Sequence, residues 1–187
     1  FKCAKKILRY LKGTKDVCLT YKSDDLDLTG FVDADWGSNK VDRLSYTGFV
    51  FMLSGGAISW KCVEQKSEAE YISLGEATKE AIYLRNFLSE IQGRLDSVVL
   101  YNDNQGAQKL CVNPAFHEKT KHIDIRHHFI REALQNNVID LKYLSTDEML
   151  ADILTKGLKN VKKFLIQTRF RFKSLDIFLI SRGVGKY

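Results

Sequence analysis

The stretch Lys66–Ile91, "KSEAEYISLGEATKEAIYLRNFLSEI", carries the decisive pattern. Leu74, Ala77, Ala81, Leu84, Leu88 and Ile91 recur at spacings of three and four, so an α-helix gathers them into one apolar stripe. One turn further back the stripe reaches Glu70, whereas Glu68, Glu76 and Glu80 fall off it. A lone carboxylate on a buried face takes up a proton or acquires a partner. Glu70 therefore lies either at a helix start open to water or opposite a positive charge.

On the N-terminal side of this helix, "LTGFVDADW" is an apolar run ending on acids, and "SYTGFVFMLSGGAISW" reads as two strands around a turn at Ser54–Gly56. On the C-terminal side, "SVVLYNDNQGAQKLC" is another apolar strand that runs into acids and a short helix. "HIDIRHHFIREALQNN" reads as a helix ending at an Asn pair, "VIDLKYLS" as a strand and "STDEMLADILTKGL" as a helix. In the last, Ser145 and Glu148 match a capping box and Gly157 a C-terminal stop. Near the start of the chain, Ile7, Leu8 and Leu11 give "AKKILRYLKGT" helical periodicity up to Gly13, and "DVCLTYKS" reads as a strand. Strands come first and then alternate with helices, the order of an α/β protein with a mixed sheet.

At 187 residues the chain has room for one well-packed domain with extensions. Its 44% hydrophobic and 28% charged content are those of a soluble globular protein. No apolar run is long enough to span a membrane, and "FKCAKKILRYLKGTKD" is not a signal peptide. The first residue is Phe rather than Met, which reads as a fragment of something longer. Cys3, Cys18, Cys62 and Cys111 lack CxxC spacing and read as reduced thiols, so the expected location is cytoplasmic or nuclear, not secretory. The net charge of +6 sits in the tail: from Lys156 to Tyr187 there are nine Lys and Arg against one Asp. Such a tail either attracts nucleic acid or is a solvated extension.

Two strands end alike. "GFVDAD" delivers Asp33 and "VVLYNDN" delivers Asp103, and in open α/β sheets chemistry gathers at the carboxyl ends of strands. Glu70 starts a helix packed on that sheet, and Asp152 lies one turn inside the helix after the last strand. Four carboxylates from four elements could thus converge around hard cations such as Mg²⁺, and two ions could activate water and stabilise a leaving oxygen in attack at phosphorus. The alternative is that Asp33 and Asp103 are turn formers and Asp152 a surface acid.

At these residues the chain resembles a known family. "FVDADWGSNKVDRLSYTGFVFMLSGGAISWK", "EAEYISLGEATKEAIYLRNFL", "YNDNQGAQKL", "FHEKTKHIDIRHHFIRE" and "ADILTKGL" look like the ribonuclease H domain of copia-type retrotransposon Pol polyproteins. "AKKILRYLKGTKD" resembles the segment joining reverse transcriptase to that domain. The resemblance implies a ribonuclease H-like α/β fold, a mixed sheet of about five strands flanked by helices. It implies hydrolysis of the RNA strand of an RNA–DNA hybrid, with Asp33, Glu70, Asp103 and Asp152 holding two Mg²⁺ ions, or Mn²⁺ in their place. The implied partners are the hybrid and the reverse transcriptase part of the same polyprotein, with no membrane. The implied organisation is a connection segment over 1–27, the domain over 28–158 and a basic tail over 159–187.

One departure stands out. "WKCVEQKSEAEY" is shorter than the family pattern by about six residues, enough for a strand of roughly 20 Å, so the third strand is expected to be shortened or lost. Lys119, Lys121, Arg126 and Arg131 are candidate phosphate contacts, partly cancelled by Glu118, Asp124 and Glu132. His127 is in helical phase with Ile123, Ile130 and Leu134 and reads as a packed core histidine. Trp36 and Trp60 each flank an apolar strand and also read as core. Two further functional classes stay open beside the hydrolase. One is a non-catalytic remnant that keeps the fold and binds nucleic acid. The other is an integrase-like transferase, against which stand the fourth carboxylate and the lack of an HHCC zinc module.

Overall fold

A strand covered on both faces needs apolar residues in succession, and Ser45–Leu53 meets that demand: Phe49, Val50, Phe51 and Met52 are all buried. The computed structural model describes residues 1–21, 26–35, 45–65, 69–93, 96–112, 121–157 and 172–174. The side chains of 69–71, 110, 112, 121–124 and 172–174 fall outside that description. The described elements are α1 (Lys2–Gly13), β1 (Val17–Leu19), β2 (Thr29–Asp35), β3 (Ser45–Leu53), β4 (Gly56–Gln65), α2 (Ala69–Gln92), β5 (Val98–Asn102), α3 (Gln105–Val112), α4 (Lys121–Gln135), β6 (Ile139–Tyr143), α5 (Asp152–Thr155) and β7 (Phe172–Ser174).

Five strands form one sheet in the order β4-β3-β2-β5-β6. β2, β3 and β4 form an antiparallel meander, while β5 and β6 join parallel to β2. Ser54 and Gly55 both take positive φ (54° and 71°), the requirement of a tight hairpin turn whose twist suits its strands. Asn137, at φ 52°, ends α4: Val138 N donates to Ala133 O and Asn137 N to Leu134 O, a Schellman closure.

Each face of the sheet has its own core. On one face α2 and α4 cover Val32, Phe51, Val98 and Leu100 with Leu74, Ala77, Ala81, Leu88 and Ile130. The stripe read in α2 is therefore buried as far as Leu88, and Ile91 lies beyond the sheet, 65% exposed. On the other face Met149, Leu150 and Ala151 pack with Val50, Met52 and Ala57.

The five-stranded mixed sheet agrees with the expectation, and the third strand is neither shortened nor lost. β4 is ten residues long and pairs with β3 from Gly56 to Gln65. It ends at Gln65 and α2 begins at Ala69, so the missing length was not taken from the strand. "STDEMLADILTKGL" is not one helix but a single 3₁₀ turn at Thr146–Glu148 followed by the four-residue α5, and the Ser145 side chain makes no cap bond. The physical reason lies in Met149, Leu150 and Ala151, all at most 3% exposed. An α-helix turns about 100° per residue and cannot bury three in a row on one face, whereas an irregular link can. Asp152 consequently opens α5 rather than lying a turn inside it.

Trp60 is 59% exposed, not core. It sits on the edge strand, on the face where α5 reaches Cys62, whose thiol donates to the Leu154 carbonyl. Four residues of helix are too few to cover Trp60 as well. Trp36 lies outside the described residues. His127 is buried beside Ile130, as its phase implied.

The N-terminal segment and the tail meet: β1 pairs antiparallel with β7, Val17 opposite Ser174 and Leu19 opposite Phe172. Leu19 packs on the second core, and Tyr21 Oη donates to Ala57 O at 2.7 Å. α1 buries no residue. No helix among the described residues is long and apolar enough to cross a membrane.

Gly30 tests the packing between β2, β3 and β5. A Cβ there would meet Leu100 Cδ2 at 2.5 Å and Phe51 Cε1 at 2.8 Å, and both side chains are fully buried. Gly30→Ala is expected to destabilise the fold by about 1–3 kcal/mol, read as a lower urea midpoint with an unchanged m-value.

Candidate metal centre

Parallel pairing of β2 with β5 sets Phe31 beside Tyr101 and Val32 beside Asn102. The next residue along each chain is an acid, Asp33 and Asp103. Alternate residues share a face, so Asp33 emerges on the same side as Phe31, and Asp103 follows Tyr101. The Phe31 and Tyr101 rings stack along this face, centroids 5.2 Å apart and planes 23° apart. α5 covers that face and brings Asp152 to it. Carboxylate oxygens of Asp33, Asp103 and Asp152 all lie within 4.8 Å of one another.

Asp33 and Asp152 are each 1% exposed, and Asp103 is half-buried. Two carboxylates so close repel by roughly 3–4 kcal/mol at an effective dielectric constant of about 20. The chain supplies one answer. Lys156 Nζ lies 3.0 Å from Asp33 Oδ1 and 2.8 Å from Asp152 Oδ1. The Thr155 hydroxyl donates to Asp33 Oδ2, and Thr146 Oγ1 donates to Asp103 Oδ2 at 2.8 Å.

Burial pushes the Asp33 carboxyl above its ordinary value near 3.8, and the Asp152 charge adds to the rise. The Thr155 hydroxyl and the Lys156 ammonium pull the other way without cancelling it. For Lys156, burial opposes the charge, but the hydrogen bonds and charges of Asp152 and Asp33 outweigh it and hold the ammonium above its ordinary range.

The backbone around the acids is anchored from the opposite face. Ser73, on α2, donates to the Asp33 carbonyl at 2.9 Å. Asn102 is fully buried; its Nδ2 donates to Val32 O at 3.2 Å and its Oδ1 accepts from Asn104 N at 2.9 Å. Asn104 Oδ1 in turn accepts from Ala107 N at 3.0 Å, capping α3. Asp103 is thus held between two side chains that lock the turn. An open cleft of about 440 Å³ is lined by Ala34, Asp103, Asn104, Gln105 and Tyr143.

Of the four carboxylates singled out, Asp33, Asp103 and Asp152 are brought together. Glu70 is the second residue of α2, three before Ser73, and its side chain lies outside the described residues. Of the acids off the stripe, Glu76 pairs with Lys61 at 3.1 Å and Lys79 at 3.0 Å, Glu80 accepts from Ser59 Oγ at 2.6 Å, and Glu68 lies outside the described residues. Among the basic candidates, Lys119 and the side chain of Lys121 lie outside the described residues. Arg126 approaches Glu76 at 4.0 Å, and Arg131 Nε donates to Cys111 O at 3.3 Å, so both are engaged internally. Lys156, Thr155 and Thr146 were not foreseen. Lys156 left a legible signal, four residues after Asp152 in a helical pattern; Thr146, reaching 43 positions back to Asp103, left none.

Hard oxygen donors held closer than their charges allow unaided form a donor set that fits a divalent cation, with Asp33, Asp103 and Asp152 as ligands.

No family model matches the chain. Over 162 residues it is 43% identical to the retrovirus-related Pol polyprotein from transposon TNT 1-94 of Nicotiana tabacum, covering 83% of this chain and 12% of that protein. It is 40% identical over 162 residues to the corresponding polyprotein from transposon RE1 of Arabidopsis thaliana, covering 82% of this chain and 11% of that one. The chain therefore spans only about a tenth of these curated relatives, 12% and 11%. Among solved structures, LC11-RNase H1 in complex with an RNA/DNA hybrid superposes with a TM-score of 0.51 at 14% identity, covering 69% of this chain and 94% of that one. That likeness concerns the fold.

Two outcomes test the geometry of the centre. Asn102→Ala leaves a buried carbonyl without its side-chain donor and is expected to lose about 1–3 kcal/mol in urea denaturation. Asp33 carries a raised value in the folded state, so its stabilising contribution is full below about 3.8 and is lost as pH rises through the higher folded value. In chelator, Asp33→Asn should lack this loss, and its urea midpoint should gain on the native chain's as pH rises through that interval. A constant difference across the interval would contradict the raised value.

Proposed function

Because the homologues of this chain are retrovirus-related Pol polyproteins of plant transposons and its fold is that of ribonuclease H, we propose that it is a ribonuclease H which hydrolyses the RNA strand of RNA–DNA hybrids during reverse transcription. The observation that carries the reading is the convergence of Asp33, Asp103 and Asp152 from three separate elements to within 4.8 Å. Structural acids do not need such crowding.

In this reading Asp33, Asp103 and Asp152, joined by Glu70, hold two Mg²⁺ ions, with Mn²⁺ as a substitute. When bound, such ions supply a hydroxide-like nucleophile at neutral pH and spread the charge of the phosphorus transition state. The chain's own groups do the positioning. Strand pairing holds Asp33 against Asp103, Thr146 orients the Asp103 carboxylate, and Thr155 orients that of Asp33. Ser73 ties the first turns of α2 to the end of β2, which supports placing Glu70 at the same centre. RNA is distinguished by its 2′-hydroxyls across the shallow minor groove, and the polar cleft beside Asp103 is suited to receive that edge.

The organisation follows the same reading: residues 1–27 connect to the reverse transcriptase part, 28–158 form the nuclease, and the basic tail of 159–187 adds charge toward nucleic acid. Lys119, Lys121, Arg126 and Arg131 remain candidates for contact with the hybrid's phosphates, the two arginines after exchanging their internal partners.

The test is a hybrid-cleavage assay with Mg²⁺, comparing the native chain with Asp103→Asn. The variant should keep its fold and lose at least about 100-fold in rate, since catalysis of this kind is sensitive to small displacements of ligand groups. Equal background cleavage by both would remove the enzyme and leave a non-catalytic relative with the ancestral fold.

A further inference from the structure

The ammonium of Lys156 occupies the space that the carboxylates share. Its Nζ contacts Asp33 Oδ1 at 3.0 Å and Asp152 Oδ1 at 2.8 Å, oxygens of the two acids that are 1% exposed. We propose that Lys156 is an internal counter-ion that holds Asp33 and Asp152 together in the absence of metal and is displaced when a divalent cation binds. This rests on the metal reading given above and specifies how the site exists before metal arrives.

The argument begins with charge. Buried carboxylates need a positive partner, and a single ammonium between two of them leaves a net negative pair with Asp103 alongside. That residual charge continues to attract a cation. The metal and the ammonium require the same oxygen lone pairs, and two positive charges in contact with one carboxylate repel, so they exclude each other there. Lys156 is built to leave. Its side chain is 30% exposed, so its path to water is open, and it is the C-cap of α5 with extended backbone (φ −125°, ψ 146°). The exposed Gly157 follows. A flexible four-carbon stem with a strongly hydrated head recovers solvation once outside. A fixed guanidinium fork bonded to both acids would not exchange so readily.

Two consequences follow. Without metal the site stays assembled instead of being split by repulsion. The apparent metal affinity is the intrinsic one multiplied by the fraction of chains in which the ammonium is out of place, because only those are competent to bind.

Calorimetric titration with Mn²⁺ of the native chain and of Lys156→Met tests this directly. The variant should bind Mn²⁺ about tenfold more tightly, since no competitor has to be expelled. In chelator its thermal midpoint should fall below the native value, since the two acids lose their only shared cation among the described residues. Equal or weaker affinity in a folded variant overturns the counter-ion. A second measurement uses only the native chain: acylation of lysines read by mass spectrometry, with the exposed Lys15 as internal reference. Labelling of Lys156 should rise several-fold over that of Lys15 under saturating Mn²⁺. Metal uptake with unchanged labelling overturns displacement and spares the metal site. Uptake by neither chain overturns the metal reading itself, and the displacement with it.

Discussion

Three negative charges held within 4.8 Å of one another are the constraint on which the molecule turns. Nothing in the side chains alone favours that arrangement. It persists because each acid is fixed by an element that is stable for other reasons. β2 and β5 pair through their backbones and stack Phe31 on Tyr101, so Asp33 and Asp103 arrive side by side as a result of register. Asp152 arrives because Met149, Leu150 and Ala151 are buried under the sheet immediately before it. Hydrophobic burial of about 25 cal/mol per Å² over many residues outweighs a local repulsion of a few kcal/mol. Lys156, Thr155 and Thr146 reduce what must be outweighed.

The two faces of the sheet divide the work. The α2 and α4 side is a broad apolar core and supplies stability, with Ser73 and Asn102 reaching from it to tie down the backbone behind the acids. The α5 side is thinner, built on a smaller core, and leaves Asp103 half-exposed while it covers Asp33 and Asp152. The cluster of Asp33, Asp103 and Asp152 lies on this thinner side. The same thinness leaves Trp60 in water and the Lys156 side chain partly exposed.

Much of this is legible in the amino-acid sequence. The α2 stripe from Leu74 to Leu88, the two strands that run into acids and the helical phase of His127 all rest on local periodicity and are found where the period puts them, while Ile91 at the stripe's end is exposed. The last segment departs from its helical pattern because the capping signal at Ser145 and Glu148 is local, while the burial of Met149–Ala151 against β3 and β4 is not. The length missing before Glu70 points to the outer strand, yet β4 keeps ten residues and pairs with β3 from Gly56 to Gln65 at every position but the bulged Ile58, because each residue that joins the ladder gains a backbone partner.

What the residues determine by themselves is therefore the type of each element and the side of it that must be covered, since periods of two and 3.6 are properties of a single segment of backbone. They also mark Asp33 and Asp103 as acids at the ends of strands, whereas the place of Asp152 at the start of α5 comes from the packing of Met149–Ala151. Tertiary structure decides which charges meet and which are answered: that Lys156 stands between Asp33 and Asp152, that Thr146 turns to Asp103, and that the N-terminal β1 pairs with β7 of the tail. Apart from the four-residue step between Asp152 and Lys156, these are contacts between segments far apart in the chain. Coulomb and hydrogen-bond energies depend on distances across that gap, which only packing sets.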